Sequence, residues 1–192
     1  MKKFELTSET KINIFGKKLF RIKALISFGD VEAGETGGWV EKEGNVNQSG
    51  DAWVSGNTKV YGDAKVSGNA KVYGNAKVYG NAEVSGDAWV YGNTKVYGDA
   101  KVSGNAKVSG DAWVYGDAEV SGNADYTTIH GFGTQFRTTT FFRCKDKKVR
   151  VACGCFFGTI PEFREQVKNT RKGKIAEEYL MIADLMEKHF EK

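Results

Sequence analysis

The sequence predicts a mainly β protein built around a three-sided parallel β-helix with 18 residues per coil. A valine recurs every six residues from Val54 to Val120 without a break, and Ala or Thr stands two positions before each one. Side chains alternate along a strand, so the valine and the small residue face inward and the residue between them faces outward. Tyr or Ser, then Gly, then Asn or Asp follow each valine, and these residues favour a turn. Each hexapeptide is therefore one short strand and one corner.

The number of hexapeptides per coil follows from which residues recur in register. The residue after each valine, read at every third repeat, gives a pure tyrosine column and a pure serine column. Three hexapeptides per coil therefore produce a triangular prism with about 4.8 Å between coils. The outward residues in mid-strand sort into three columns, which are Trp53, Lys71, Trp89 and Lys107; Lys59, Lys77, Lys95 and Trp113; and Lys65, Glu83, Lys101 and Glu119.

The N-terminal segment, residues 1–39, is predicted to be a β cap. Short apolar alternations from Phe4 to Ile26 around "FGKK" indicate a β-hairpin. The β-helix is predicted over residues 40–125, with Val40 and Val46 placed in the small inward slot of the first coil. A cap is expected because an uncovered prism would expose strand edges and polymerise.

The C-terminal segment, residues 126–192, is predicted to be an α+β cap. Residues 138–144 and 149–153 form a hairpin around "KDKK", and Thr159 with Glu162 three positions later is a capping box for a helix over about 160–170. A helical apolar stripe then predicts a second helix over about 174–190, through Ile175, Tyr179, Ile182, Met186 and Phe190. These helices are expected to pack on the hairpin, with a homo-oligomer through the last stripe as the alternative.

Composition restricts the classes of function. The chain has 24 glycines, one proline and a formal charge of +4, and its glycines recur at a fixed place in the repeat, which argues against disorder. No segment approaches the roughly 18 apolar residues of a membrane span, and no export signal stands at the start, so a cytoplasmic location is expected. Residues 124–192 hold 13 basic and 9 acidic residues, a weak signal for nucleic-acid contact.

A resemblance to known proteins adds to this interpretation. The pattern Val-x-Gly-[Asn/Asp]-Ala-x across residues 46–124 resembles the hexapeptide repeat of left-handed parallel β-helix proteins, and the left hand is implied by that resemblance alone. The flanks "FGKKLFRIKALISFGDVEAGETGGWVEKEGNV" and "GFGTQFRTTTFFRCKDKKVRVACGCFFGTIPEFREQV" resemble proteins of Firmicutes phages and prophages, some of them called polymer-forming cytoskeletal. The resemblance implies no catalytic residues.

Enzyme and metal chemistry are not expected. Hexapeptide acyltransferases use a histidine between coils, whereas His130 and His189 both lie outside the repeats. No cofactor is expected. Cys144, Cys153 and Cys155 together with His130 would supply four ligands of the kind zinc accepts, but reduced thiols inside a small cap are the favoured interpretation.

The expected function is therefore binding. Large exposed aromatic residues are enriched at the centres of protein interfaces, and lysines beside tyrosines suit phosphates and bases. The predicted partner-binding residues are Trp53, Trp89, Trp113, Lys59, Lys77, Lys95, Tyr61, Tyr79, Tyr97 and Tyr115.

The phage resemblance gives this binding hypothesis a setting. It suggests a non-enzymatic counter-defence inhibitor, similar in role to anti-CRISPR proteins, that binds a host immune effector such as an RNA-guided nuclease in the host cytoplasm. A self-assembling structural protein and a sponge for signalling nucleotides are the alternatives.

Overall fold

A computed structural model describes residues 1–191 and shows a β-helix of about five coils between two caps. The N-terminal cap contributes β1 (Phe4–Ile12) and β2 (Lys18–Ala24), and β3 (Thr36–Val40) leads into the first coil. Twelve strands of two residues form the coils, namely β4 (Trp53–Val54), β5 (Lys59–Val60), β6 (Lys65–Val66), β7 (Lys71–Val72), β8 (Lys77–Val78), β9 (Glu83–Val84), β10 (Trp89–Val90), β11 (Lys95–Val96), β12 (Lys101–Val102), β13 (Lys107–Val108), β14 (Trp113–Val114) and β15 (Glu119–Val120).

The coils form three parallel sheets, one on each side of a prism. The strand orders are β3-β5-β8-β11-β14, β4-β7-β10-β13 and β6-β9-β12-β15, and residues 18 apart pair, as in Lys59 with Lys77. The predicted three-sided prism with 18 residues per coil is confirmed. Its left hand stays a prediction from the resemblance.

Valines fill the centre of the prism. All twelve valines from Val54 to Val120 are at most 1% exposed, and the small residues two positions before them are equally buried. Two of those small residues are threonines whose hydroxyls find acceptors, since Thr94 Oγ1 donates to the Tyr91 carbonyl at 2.7 Å and Thr58 Oγ1 to the Val72 carbonyl at 3.3 Å. Burying each valine contributes on the order of 1.5–3 kcal/mol.

The N-terminal cap extends one side of the prism instead of covering its end as a plug. β1 and β2 form the predicted hairpin, and β2 pairs with β3, so the sheet on this side has seven strands. The placement of Val40 and Val46 in the small inward slot is wrong. They pair with Val60 and Val66, so they occupy the valine slot. The predicted boundary between residues 39 and 40 falls inside β3.

The C-terminal cap is a four-stranded antiparallel sheet covered by two helices. Its strands are β16 (Tyr126–Phe132), β17 (Arg137–Arg143), β18 (Val149–Cys153) and β19 (Phe156–Thr159), in that order across the sheet. The hairpin of β17 and β18 confirms the prediction, while β16 and β19 were not predicted.

The two helices also agree with the prediction. They are α1 (Ile160–Thr170), with its capping box at Thr159 and Glu162, and α2 (Gly173–Phe190). Both pack on Phe141 and Val151 of the sheet, so the predicted apolar stripe is core, with Ile175 at its partly buried margin.

The hydrogen bonds between coils all run in one direction. Each coil donates from its amides to carbonyls of the following coil, as from Lys59 N to the Ala76 carbonyl at 3.0 Å. The first coil is therefore left with free carbonyls and the last coil with free amides. The prism has an acceptor end and a donor end.

Each cap supplies the hydrogen-bonding groups that its end lacks. At the acceptor end, Lys3 Nζ donates to the carbonyls of Gly50 and Ala52 at 3.0 and 2.8 Å. The donor end is covered by side-chain oxygens, with Trp113 N donating to Thr140 Oγ1 at 3.1 Å, Ser109 N to the Tyr126 hydroxyl at 3.1 Å, and Lys107 N to Asn123 Oδ1 at 2.9 Å. These contacts close both ends of the ladder.

Among the helices of residues 1–191, neither is long and apolar enough to cross a membrane.

The corner glycines provide a test of the packing between coils. Gly74 and Gly110 both have positive φ, +76° and +70°, but a Cβ on Gly74 would lie 3.1 Å from Gly92 N while a Cβ on Gly110 meets nothing within 4 Å. Both Gly→Ala changes carry the left-handed strain of about 1–2 kcal/mol. We expect Gly74→Ala to lose more stability in urea unfolding than Gly110→Ala, because only the first also pushes two coils apart. Equal losses would contradict a limiting contact between corners.

Candidate binding face

One side of the prism carries eight of the ten predicted partner-binding residues. We call it the lysine–tyrosine face. Its strands β5, β8, β11 and β14 place two outward columns side by side, one of Lys59, Lys77, Lys95 and Trp113 and the other of Tyr61, Tyr79, Tyr97 and Tyr115. The predicted neighbourhood of the lysines and the tyrosines is therefore present in the structure.

The tyrosines stack on one another along the prism. Ring centroids lie 5.0 Å apart from Tyr61 to Tyr79, 4.9 Å from Tyr79 to Tyr97 and 4.7 Å from Tyr97 to Tyr115, with interplanar angles of at most 6°. Because each ring covers the next, the ring faces are not free to stack on bases. The expectation that this column offers a base-stacking surface is wrong, and a partner reaches ring edges and hydroxyls.

The ends of the tyrosine column are covered by the caps. Tyr61 is buried with Leu19 and Trp39, and Tyr115 packs against Phe157 at 4.6 Å. Burial raises the pKa of Tyr61 to about 12 and raises the pKa of Tyr79, Tyr97 and Tyr115. The tyrosines are therefore neutral hydrogen-bonding groups at physiological pH, and Tyr61 contributes to the core and not to an accessible surface.

The three lysines form a column of like charge. Lys59 pairs with Lys77 and Lys77 with Lys95 across parallel strands, and within residues 1–191 no carboxylate lies at ion-pair distance from any of them. Partial burial, followed by repulsion from Lys77, lowers the pKa of Lys95. Like charges directly opposite each other on a sheet destabilise it. This column therefore costs stability.

The other two sides of the prism avoid this cost. One alternates Lys65, Glu83, Lys101 and Glu119, with Lys101 Nζ 4.0 Å from Glu83 Oε2. On the remaining side, Lys71 pairs with Asp30 in the N-terminal cap and lies between two tryptophans. Only the lysine–tyrosine face stacks uncompensated cations on successive coils of the described chain.

The three predicted tryptophans have different surroundings. Trp53 was expected to face a partner, but it is 5% exposed under Phe4 and Phe28 of the N-terminal cap, so that expectation is wrong. Trp89 is half-buried on the same side, with Lys107 4.8 Å and Lys71 5.7 Å from its ring. Trp113 alone belongs to the lysine–tyrosine face, where Lys95 lies 3.8 Å from its ring.

Cations in the N-terminal cap continue the lysine column. Trp39 pairs with Lys59, and its ring is covered by Lys11 at 3.7 Å and by Arg21 at 4.9 Å. Burial, with repulsion from Lys59 and Arg21, lowers the pKa of Lys11 to about 8. Sequence reasoning missed these residues. The signal was "GGWV", which repeats the Trp-Val pair of "DAWV".

Acidic residues border the face at one corner. Asp63 pairs with Lys42 at 2.7 Å, and Asp99 accepts a hydrogen bond from Asn81 at 2.9 Å. These carboxylates are therefore partly engaged within the molecule. They reduce the positive potential beside the tyrosines but do not reach the lysines.

The cysteines do not assemble a metal site in the described structure. Cys144 is buried, Cys153 half-buried and Cys155 exposed, and within residues 1–191 no three His, Cys, Asp or Glu side chains are grouped so as to hold a metal ion. Burial, reinforced by Asp117, raises the pKa of Cys144 to about 12, so it is a thiol at neutral pH. The geometry gives the zinc alternative no support.

Comparison with known families agrees with the coil architecture. Residues 76–92 match the family model of the YdcK beta solenoid repeat, a segment that contains Val78, Val84 and Val90. A search of curated proteins found no match. These findings support a repeat β-helix protein.

The cost of the lysine column can be measured. Lys77→Glu gives this column the alternating charge that the Lys65–Glu83 side already has, so we expect it to raise the free energy of unfolding by about 0.2–1 kcal/mol per relieved pair. The matched control Glu83→Lys creates a like-charged column on the other side and should lower it by a similar amount. Urea unfolding at low salt makes the comparison, and both effects should shrink in about 1 M NaCl because salt screens exposed charges. The same sign for both variants would contradict the interpretation.

The tyrosine column predicts a pH dependence. A pKa raised by folding means that the folded state keeps its phenol protons longer than the unfolded chain, so this stability is present below about pH 10 and is lost as pH rises towards 12. We expect Tyr97→Phe to lose less stability than the wild type between pH 10 and 12, because it removes one of the raised groups. Thermal melts across that range test this, and parallel losses would contradict it.

Proposed function

We propose that the protein is a non-enzymatic binding module whose lysine–tyrosine face docks on a nucleic-acid-containing partner. The observation that carries the proposal is the uncompensated column of Lys59, Lys77 and Lys95. A fold that alternates charge on one side and pairs its lysines on another has the means to neutralise this column. A partner with regularly spaced negative charge would relieve the repulsion on binding, because each phosphate contact also releases counterions.

The rigidity of the coils supports the same proposal. The lysines are fixed to successive coils of a continuous hydrogen-bonded ladder, at a spacing of about 4.8 Å. A rigid array loses little conformational freedom when a partner binds. The adjacent tyrosines add neutral hydroxyls and ring edges, which suit sugar and phosphate oxygens without adding charge.

We propose further that the partner is a host immune complex such as an RNA-guided nuclease, and that binding blocks its nucleic-acid path. This part of the proposal depends on the resemblance of the two flanking segments to phage and prophage proteins. Both histidines are exposed and lie in the C-terminal cap, away from the coils, which supports a binding role over catalysis.

Self-assembly is the competing proposal, and the covered ends weigh against its end-to-end form. Lys3 occupies carbonyls at the acceptor end, and Thr140, Tyr126 and Asn123 occupy amides at the donor end. Another prism could extend the ladder only after a cap had moved away.

The proposal is tested with two double variants of equal charge. Lys77→Ala with Lys95→Ala removes two cations from the lysine–tyrosine face, and Lys65→Ala with Lys101→Ala removes two from another side. We expect only the first to weaken binding to a guide-loaded RNA-guided nuclease and to reduce inhibition of its target cleavage, by about tenfold or more. For a single-stranded RNA probe, the salt dependence of log K should fall by about 0.7 for each lysine removed.

Two results would overturn the proposal. Equal effects of both double variants would show that net charge acts without this face. An absence of binding by the wild-type protein to both the nuclease complex and the RNA would remove the nucleic-acid partner.

A further inference from the structure

The lysine–tyrosine face ends in a groove beside the C-terminal cap. The groove has a volume of about 630 Å³, within the roughly 300–1,000 Å³ typical of small-ligand sites. Its lining includes Asp111, Trp113, His130, Phe136, Arg137 and Cys155. The residues come from the last coil, from β16 and β17, and from the turns beside them, so the groove exists only where the prism meets the cap.

Trp113 differs from the other coil tryptophans because of where its coil stops. The octapeptide "SGDAWVYG" occurs identically at 85–92 and 109–116, so local sequence cannot distinguish Trp89 from Trp113. Lysines of both neighbouring coils lie over Trp89. β14 is the last strand of its sheet, so Trp113 has only Lys95 beside it and is 37% exposed.

Phe136 brings a second aromatic ring to the groove. It is 66% exposed, and within residues 1–191 neither it nor Trp113 stacks on another aromatic ring. Its φ of 46° lies in the left-handed region, which a bulky residue rarely adopts. An exposed aromatic residue held in an unfavourable backbone conformation contributes nothing to the core, which points to a contact outside the chain.

The charges around the groove favour a ligand that is both aromatic and anionic. Arg137 is exposed and makes no ion pair within the described residues, and Lys95 closes the side that faces the lysine column. The one carboxylate, Asp111, already accepts a hydrogen bond from Asn93 at 2.9 Å. His130 Nδ1 lies 3.1 Å from Thr138 Oγ1. A nucleotide combines a flat ring for Trp113 and Phe136 with a phosphate for Arg137.

We propose that this groove holds one unpaired nucleobase of a single-stranded nucleic acid whose phosphates lie along Lys95, Lys77 and Lys59. The inference rests on the proposed function and identifies the part of the partner that is recognised. The tyrosines cannot stack on bases because they stack on each other, so base recognition is confined to the end of the face, where the two free aromatic rings are.

The test separates the base from the phosphates. A fluorescein-labelled eight-nucleotide RNA is compared by anisotropy with an abasic strand of the same length and charge. We expect the wild type to bind the base-containing strand about tenfold more tightly, as one stacked base provides. Trp113→Ala and Phe136→Ala should each bring the two affinities close together and leave the abasic affinity unchanged. Trp89→Ala, the matched variant from the identical octapeptide, should keep the preference.

The outcomes distinguish this inference from the function on which it rests. Equal binding of both strands by the wild type would overturn the groove and leave the lysine–tyrosine face in place. Binding of neither strand would overturn both. A preference that survives Phe136→Ala and Trp113→Ala would place the base elsewhere. Phe136 is exposed, so its variant remains informative if thermal melts show that Trp113→Ala is destabilised.

Discussion

The hydrogen bond from each coil to the next is the interaction on which the rest of the structure depends. Because amides of one coil meet carbonyls of the following coil at about 2.8–3.1 Å on every side, each coil must copy the shape of its neighbour. The repeat follows from this requirement. Valine fills the shared interior, and glycine turns each corner where its neighbour 18 residues on approaches within about 3 Å. A side chain at either place has to suit two coils at once.

The same copying turns single residues into columns, and columns decide the surface chemistry. Stacked tyrosines cover one another's faces, stacked amides hydrogen-bond from Asn57 to Asn75 to Asn93, and alternating Lys and Glu neutralise each other. Three stacked lysines do none of these things. A surface that is unfavourable to the folded chain and regular in space is what a binding function would leave behind, which is why the proposal rests on this column.

Repetition stops at the ends, and the ends are where residues of equal sequence become unequal. The direction of the ladder leaves carbonyls at one end and amides at the other, so the caps differ in chemistry: Lys3 donates and Thr140 accepts. Trp53, Trp89 and Trp113 share the context "SGDAWV", but one is buried by the first cap, one lies between two lysines, and one borders the groove beside the second cap.

The sequence by itself determined the three-sided prism, its 18-residue coil, the outward columns and the two C-terminal helices, because these follow from short-range alternation, a strict period and local capping residues. Only the tertiary structure decided that Trp53 and Tyr61 are buried, that Trp39, Arg21 and Lys11 extend the lysine column, and that β16 and β19 complete the cap sheet. The physical reason is distance along the chain. Those outcomes depend on contacts between a cap and a coil, and no local pattern encodes which residue of a repeat meets the cap.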